Sequence, residues 1–261
     1  MYNKIQNLNV YVINLEKEKE RKKQSKKVLT ELGFKNIHFI SPIDPNKAIR
    51  HKFFKNSNIS NKYAASLALT ALNIMNYALK HEKNKYFIIA EDDIILRDKS
   101  LNNQNLINKI WNNAQKYKFD LLYLEYCNNI CTLSTKLDKH LYKLYYPKCC
   151  AFMIYSKNIC NKIINDYNTF GSIYDSQDVY YARKTMNKEI ISLGYPLFKQ
   201  DSTFNSSLPG SARSYMLYKN LVNDDYTCLE YMLLIMITKI WSIIMIIYVI
   251  YYIIKNRKYI K

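Results

Sequence analysis

Residues 86–96, YFIIAEDDIIL, set the tightest constraint on how this chain can fold. An aromatic and aliphatic run meets three consecutive carboxylates, Glu91, Asp92 and Asp93, and three more aliphatics follow. A short unbroken apolar run is the pattern of a strand buried on both faces. Acids at its end are costly unless they are solvated, paired or holding a cation. The stretch therefore predicts a buried strand that delivers carboxylates to the rim of an open α/β sheet, where such sheets bind ligands. On extended backbone Glu91 and Asp93 point the same way. A divalent cation that in turn holds phosphate is one use of such a cluster, with Glu91, Asp92 and Asp93 as its ligands. An acid-rich turn in solvent is the other reading the residues leave open. A phospho-acceptor site of receiver type wants a further acceptor Asp and a later Lys on neighbouring strands, and the order of elements does not supply them.

The flanks agree with an α/β fold. Residues 8–15 (LNVYVINL) predict a first strand, 16–32 a charged helix stopped at Gly33, and 36–40 a second strand before the Ser41-Pro-Ile-Asp-Pro45 loop. Strand–helix–strand order implies a parallel sheet with a crossover helix. Residues 51–61 read as loop. Leu67, Ala71, Ile74 and Ala78 keep helical spacing over residues 64–79. A helix at 101–117 and a strand at 119–124 follow. Residues 130–144 are undecided, with Tyr142, Leu144 and Tyr146 alternating as in a strand. A buried strand is expected at 150–155 and a helix from its Ser156 cap to 167. A helix at 175–186, a short strand at 190–193 and a polar loop at 195–215 complete the order. The expected fold class is α/β with a mostly parallel central sheet.

Of 261 residues, 49% are hydrophobic, which suits one globular domain with an appendage. Residues 1–215 are assigned to the domain, 216–230 to a linker, 231–254 to a transmembrane helix and 255–261 to a basic tail. The 231–254 segment carries one charge, Lys239. At about 1.5 Å per residue it is long enough for a bilayer core of roughly 30 Å. Membrane localisation through a single-pass C-terminal anchor is the expectation. Its orientation stays open, because the basic tail predicts one side and the polar start, which is no secretory leader, predicts the other. The net charge of +18 suits an anionic lipid surface or a phosphorylated ligand. The basic residues follow no nucleic-acid-binding motif, so no specific nucleic-acid partner is expected. The six cysteines include Cys149 and Cys150 in an apolar run, read as core thiols.

Three further sets of residues carry chemistry. Asn14 ends the first strand and Arg21 lies on the next helix, where an amide and a guanidinium suit a base, ribose or phosphate. Asp175 and Asp178 stand at helical i, i+3 spacing, where one can act as a general base, although acids also collect at helix starts because the dipole favours them. Gln200, Ser206 and Ser207 sit on the late polar loop, which could close over a ligand or simply lead to the membrane.

The strand ending Ile13-Asn14-Leu15 with Arg21, the Pro42-Ile-Asp44 loop, the Phe87-Ile-Ile-Ala-Glu-Asp-Asp-Ile-Ile95 motif, Ala151-Phe-Met-Ile-Tyr-Ser156, the late Asp178 and Tyr195-Pro196 through Gln200 to Ser206 together resemble glycosyltransferase family 25. That group contains bacterial lipopolysaccharide glycosyltransferases and procollagen galactosyltransferases. The resemblance covers roughly residues 8–208. It implies a GT-A-like nucleotide-sugar-binding fold and an inverting transfer, often of galactose, from a UDP-sugar to a hydroxyl of a glycan, lipid-linked glycan or glycoprotein. It implies Mn²⁺ or Mg²⁺ as cofactor, with Asn14, Arg21 and Asp92 near the nucleotide and Asp178, backed by Asp175, as base. Where the family commonly has Ser-His, this chain has Thr70-Ala71. The second reading is accordingly a member without catalysis, a membrane-anchored glycan- or protein-binding module.

Overall fold

The computed structural model describes residues 4–55, 61–126, 133–171, 176–201 and 228–256, the last of these with side chains over 236–252. The chain divides into two compact units, Met1–Pro209 and Gly210–Lys261. The expected domain boundary at 215, and the linker up to residue 227, fall outside the described residues.

The first unit runs β1 (Asn9–Ile13), α1 (Lys19–Glu31), β2 (Asn36–Ile40), α2 (Pro45–Ala48), α3 (Lys62–His81), β3 (Tyr86–Glu91), β4 (Ile94–Leu96), α4 (Gln104–Lys116), β5 (Leu121–Tyr123), β6 (Thr135–Asp138), β7 (Leu141–Lys143), β8 (Phe152–Ser156), α5 (Lys157–Phe170), α6 (Gln177–Met186), β9 (Ser192–Gly194) and β10 (Phe198–Gln200). Eight strands form one sheet in the order β2-β1-β3-β8-β5-β9-β7-β6. It is a mixed α/β fold in which β1, β2, β3, β5, β6 and β9 run one way and β7 and β8 run against them.

The apolar run of β3 fills both faces, as its sequence requires. Phe87 and Ile89 join Tyr11, Ile13, Leu72, Met75 and Ile163 in one core. Ile88 and Ala90 join Val10, Val12, Leu29, Trp111 and Ile154 in the other. Alternation along each strand produces the division, and helices cover both faces as buried parallel strands demand. The antiparallel β8 is a departure inside the mostly parallel frame. It lies between β3 and β5 and is reached from β7 through residues 144–151, without the crossover helix a parallel neighbour needs.

Local signals place most element ends. Gly33 follows α1 at φ +86, a conformation costly for any residue with a Cβ. Asn61 caps α3 by accepting from Tyr63 and Ala64 N–H, and Ser156 caps α5 by accepting from Ile159 N–H. Thr70 Oγ1 accepts from Ile43 N–H at 2.9 Å and donates to Ser66 O at 2.7 Å, and Ser66 Oγ donates to Ile43 O, stitching the loop after β2 to α3.

Two expectations need correction. The stretch read as polar loop after residue 195 contains β10, which pairs antiparallel with β4. Each has three residues, too few to show a period of two. Cys149 is disulfide-bonded rather than a core thiol; Cys150 and Cys160 are free.

The second unit contains α7 (Cys228–Asn256), a helix of 29 residues that includes the expected 231–254 segment. Among the described residues no helix is long and apolar enough to cross a membrane.

Candidate active site

The site starts from register. β1 and β3 are parallel neighbours with Ile13 opposite Glu91, so the residues just beyond, Asn14 and Asp92, emerge side by side. Asn14 Nδ2 donates to Asp92 Oδ2 at 2.7 Å. Arg21 Nη1, from the first turn of α1, donates to Asp92 Oδ1 at 3.5 Å. All three side chains are buried. Burial raises the Asp92 pKa, and the bonds from Asn14 and Arg21 hold that rise in check. Asn14 and Arg21, expected at a nucleotide, therefore engage the middle acid of the triplet and fix its direction.

The flanking acids do not share the bonds from Asn14 and Arg21 that hold Asp92. Asp93 Oδ1 is buried and has no hydrogen-bond partner among the described residues. Burial, with Asp92 beside it and Arg21 opposing, lifts the Asp93 pKa to about 6. Glu91 is raised well above the usual carboxylate range, first by burial and then by Asp93, Glu125, Asp92 and Asp178. Glu125, just past β5, is 5% exposed. Burial pushes its pKa up to about 8, with the Ala151 N–H and Arg97 opposing and Asp93 and Asp178 adding to the rise. Ala151 ties the two strand ends together: its O accepts from Glu91 N–H at 2.8 Å and its N–H donates to Glu125 Oε2 at 3.2 Å.

Asp178 lies in the first turn of α6. Its Oδ1 accepts from Val179 N–H at 2.9 Å and from Ser176 Oγ. It is close enough to raise the pKa values of Glu91, Glu125 and Cys150. Glu91, Asp93, Glu125 and Asp178 thus share one neighbourhood. Asp175, Ser206 and Ser207 lie outside the described residues. Gln200 closes β10 opposite Ile94 of β4, and the next residue, Asp201, accepts from Gln24 Nε2 at 2.7 Å and donates its N–H to Asp93 O at 2.6 Å. Ala71 is buried in the core at 3% exposure.

Sequence reasoning missed Glu125. Its signal was there, since Leu121-Leu-Tyr-Leu-Glu125 repeats in short form the apolar run ending in an acid that marks β3. Arg97, whose charge lowers the Glu125 pKa, carried no signal beyond following β4.

Among the described residues no group of three or more His, Cys, Asp or Glu side chains is placed to hold a metal ion. The physical reason is the turn of Asp92 towards Asn14 and Arg21. What fits a cation is narrower: Glu91 and Asp93, with one buried oxygen unpartnered among the described residues and both carboxyls raised by burial and then by neighbouring acids, which a cation would offset.

No family model matches the sequence, and no curated protein matches it. Among solved structures the chain is similar to A197 from STIV at TM-score 0.43 and 10% identity, over 74% of this chain and 83% of that one. HddC from Yersinia pseudotuberculosis gives TM-score 0.37 and 12% identity over 74% and 93%. A glycosyltransferase involved in glycosylation of the major capsid of PBCV-1 gives 0.34 and 12% over 82% and 99%. Likenesses this distant carry no argument about activity.

Proposed function

We propose that the first unit is a glycosyltransferase of GT-A-like fold, which takes a nucleotide-sugar donor at the carboxyl ends of β1 and β3. The carrying observation is the crowd of raised carboxyls Glu91, Asp93 and Glu125 beside an Asp92 held by Asn14 and Arg21. A donor diphosphate with its divalent cation, Mn²⁺ or Mg²⁺, suits that charge pattern, and Glu91 and Asp93 would hold the ion. The ion would supply Lewis-acid stabilisation of the departing diphosphate. Asp178, near these acids and half-buried, is the candidate to take the proton of an acceptor hydroxyl. The UDP-sugar donor, galactose as its sugar, inversion at the anomeric carbon and a glycan, lipid-linked glycan or glycoprotein acceptor rest on the motif resemblance to glycosyltransferase family 25. The family's Ser-His positions are Thr70, which bonds the loop after β2, and a buried Ala71. That difference favours the second reading, a membrane-anchored glycan- or protein-binding member without transfer.

The membrane is the proposed location. From Met236 to Tyr252 the large apolar side chains of α7 are between 49% and 61% exposed. They occupy every face of the helix, and a helix apolar all round belongs in a core or a bilayer.

The test is UDP release by the full-length chain in detergent, with UDP-galactose and Mn²⁺, against Asp93→Asn and Glu91→Gln. Both substitutions should lower kcat by at least about 100-fold, in line with loss of charge stabilisation at the leaving group. Donor binding without turnover would select the second reading. Absence of UDP-sugar binding, with Asp93→Asn changing nothing, would sink the transferase reading.

A further inference from the structure

A cavity of about 470 Å³ lies on the α3 side of β1 and the edge strand β2, and none of the strand-end acids lines it. Ile40, Ser41, Ile43 and Thr70 line it towards the carboxyl ends of the strands, whereas Asn9, His38, Tyr77, His81 and Glu82 line it towards their amino ends. At that far end the walls are aromatic. Tyr11 stacks on His38 with ring centres 5.3 Å apart, and meets Tyr77 edge-on at 6.1 Å. Tyr77 in turn lies 4.5 Å from His81. Tyr11 is buried, and Tyr77 is 53% exposed.

The charge in this cavity is unusual for so basic a chain. Glu82 is 8% exposed. Asn9 Nδ2 donates to both its oxygens at 2.8 Å, and Tyr11 Oη donates to Oε1. Asn9 Oδ1 lies 3.3 Å from His38 Nε2, which holds the amide in that sense. Lys157 reaches Glu82 but donates to its backbone carbonyl. Neutral donors thus hold a buried carboxylate in place, and Oε2 keeps accepting capacity. Glu82 is also the residue that ends α3, where the helix dipole adds negative potential. Buried carboxylates are ordinarily matched by a cation, and aromatic faces attract one.

We infer that this cavity binds a small organic cation with an apolar or aromatic body, its ammonium group at Glu82 and its body between Tyr11, Tyr77 and Ile74. The site is separate from the donor site proposed above and does not depend on that reading. Calorimetric titration of the full-length chain in detergent with phenethylammonium chloride tests it, beside the uncharged 2-phenylethanol. The amine should bind saturably and at least about tenfold more tightly than the alcohol, the discrimination that a desolvated charge and ring contact provide. Tyr77→Ala, at an exposed position, should weaken the amine several-fold and the alcohol less. Glu82→Gln should bring the two ligands to similar affinity. Equal affinities for amine and alcohol in the unsubstituted chain would overturn the proposal. So would the absence of saturable amine binding up to about 10 mM, a concentration weaker than any useful small-ligand site. Should Glu82→Gln fail to fold, the amine–alcohol difference and Tyr77→Ala still decide.

Discussion

Asn14 and Asp92, 78 residues apart in the chain, meet in the interior through a 2.7 Å bond from the amide nitrogen to the carboxylate. The bond joins the ends of two parallel strands and fixes the direction of the middle acid of the triplet. Removing the amide leaves a buried carboxylate with Arg21 at 3.5 Å as its remaining side-chain donor among the described residues. Asn14→Ala should therefore destabilise the chain by about 2 kcal/mol, the usual cost of stranding a buried charged group. Asn14→Asp should cost more, because like charges then face each other. Chemical denaturation at pH 7 measures both, and Asp92→Asn should recover part of the Asn14→Asp loss. An Asn14→Ala variant as stable as the parent would show that the bond holds nothing.

The crowded acids predict a pH dependence of opposite sign to that of ordinary surface carboxylates. Asp93 and Glu125 titrate in the folded state at about 6 and about 8, above their unfolded values. Between those limits the folded chain binds more protons than the unfolded chain, so the slope of stability with pH is negative. Their favourable contribution is complete below about pH 4 and lost as pH rises through 6 and then 8. In chelator, melting temperature should fall from pH 5 to pH 8. Glu125→Gln should flatten the upper part of the fall. A melting temperature that rises steadily over that range would contradict the raised titration of these acids.

The sequence made the sheet legible where runs were long and chemically marked. β3 announced itself by five apolar or aromatic residues and three acids, and β2 fell at residues 36–40 as read. Three-residue strands such as β4 and β10 have no readable period, and only pairing across about a hundred residues of chain creates them. The site was legible as residue types rather than as partnerships. Nothing in the spacing says that Asn14 and Arg21 turn to Asp92, because parallel register, not sequence distance, puts them together. Glu125 escaped because one acid after a short strand is common, and only the arrival of Ala151 between β3 and β5 brings it to Glu91.

Divalent cation binding should compete with protons at the same acids. Mn²⁺ should raise the melting temperature of the full-length chain, and more at pH 8 than at pH 5.5, because the ion takes the deprotonated carboxylates. Paramagnetic resonance of free Mn²⁺ gives the affinity directly. Asp93→Asn should weaken it at least about tenfold, as expected for loss of an ion-binding carboxylate. Asp98→Asn, at an exposed surface position where the carboxylate caps the next turn, should leave it unchanged. Equal Mn²⁺ affinity in the two variants would remove Asp93 from the cation site.

The exposed apolar surface of α7 predicts its own solvent. Ile243, Ile244, Ile246 and Ile247 are each at least 49% exposed. In water that much uncovered aliphatic surface drives association, whereas in hydrocarbon it carries no penalty. Full-length chain made in the presence of liposomes should float with them and resist carbonate extraction. Replacing Ile244 and Ile247 with Lys adds two charges to the one at Lys239. At mid-bilayer each costs about 3 kcal/mol on insertion scales, so the doubly substituted chain should lose most of its carbonate resistance. A chain that stays in the supernatant before substitution would assign α7 to a protein interface instead. Carbonate resistance that survives both lysines would place positions 244 and 247 away from the hydrocarbon centre.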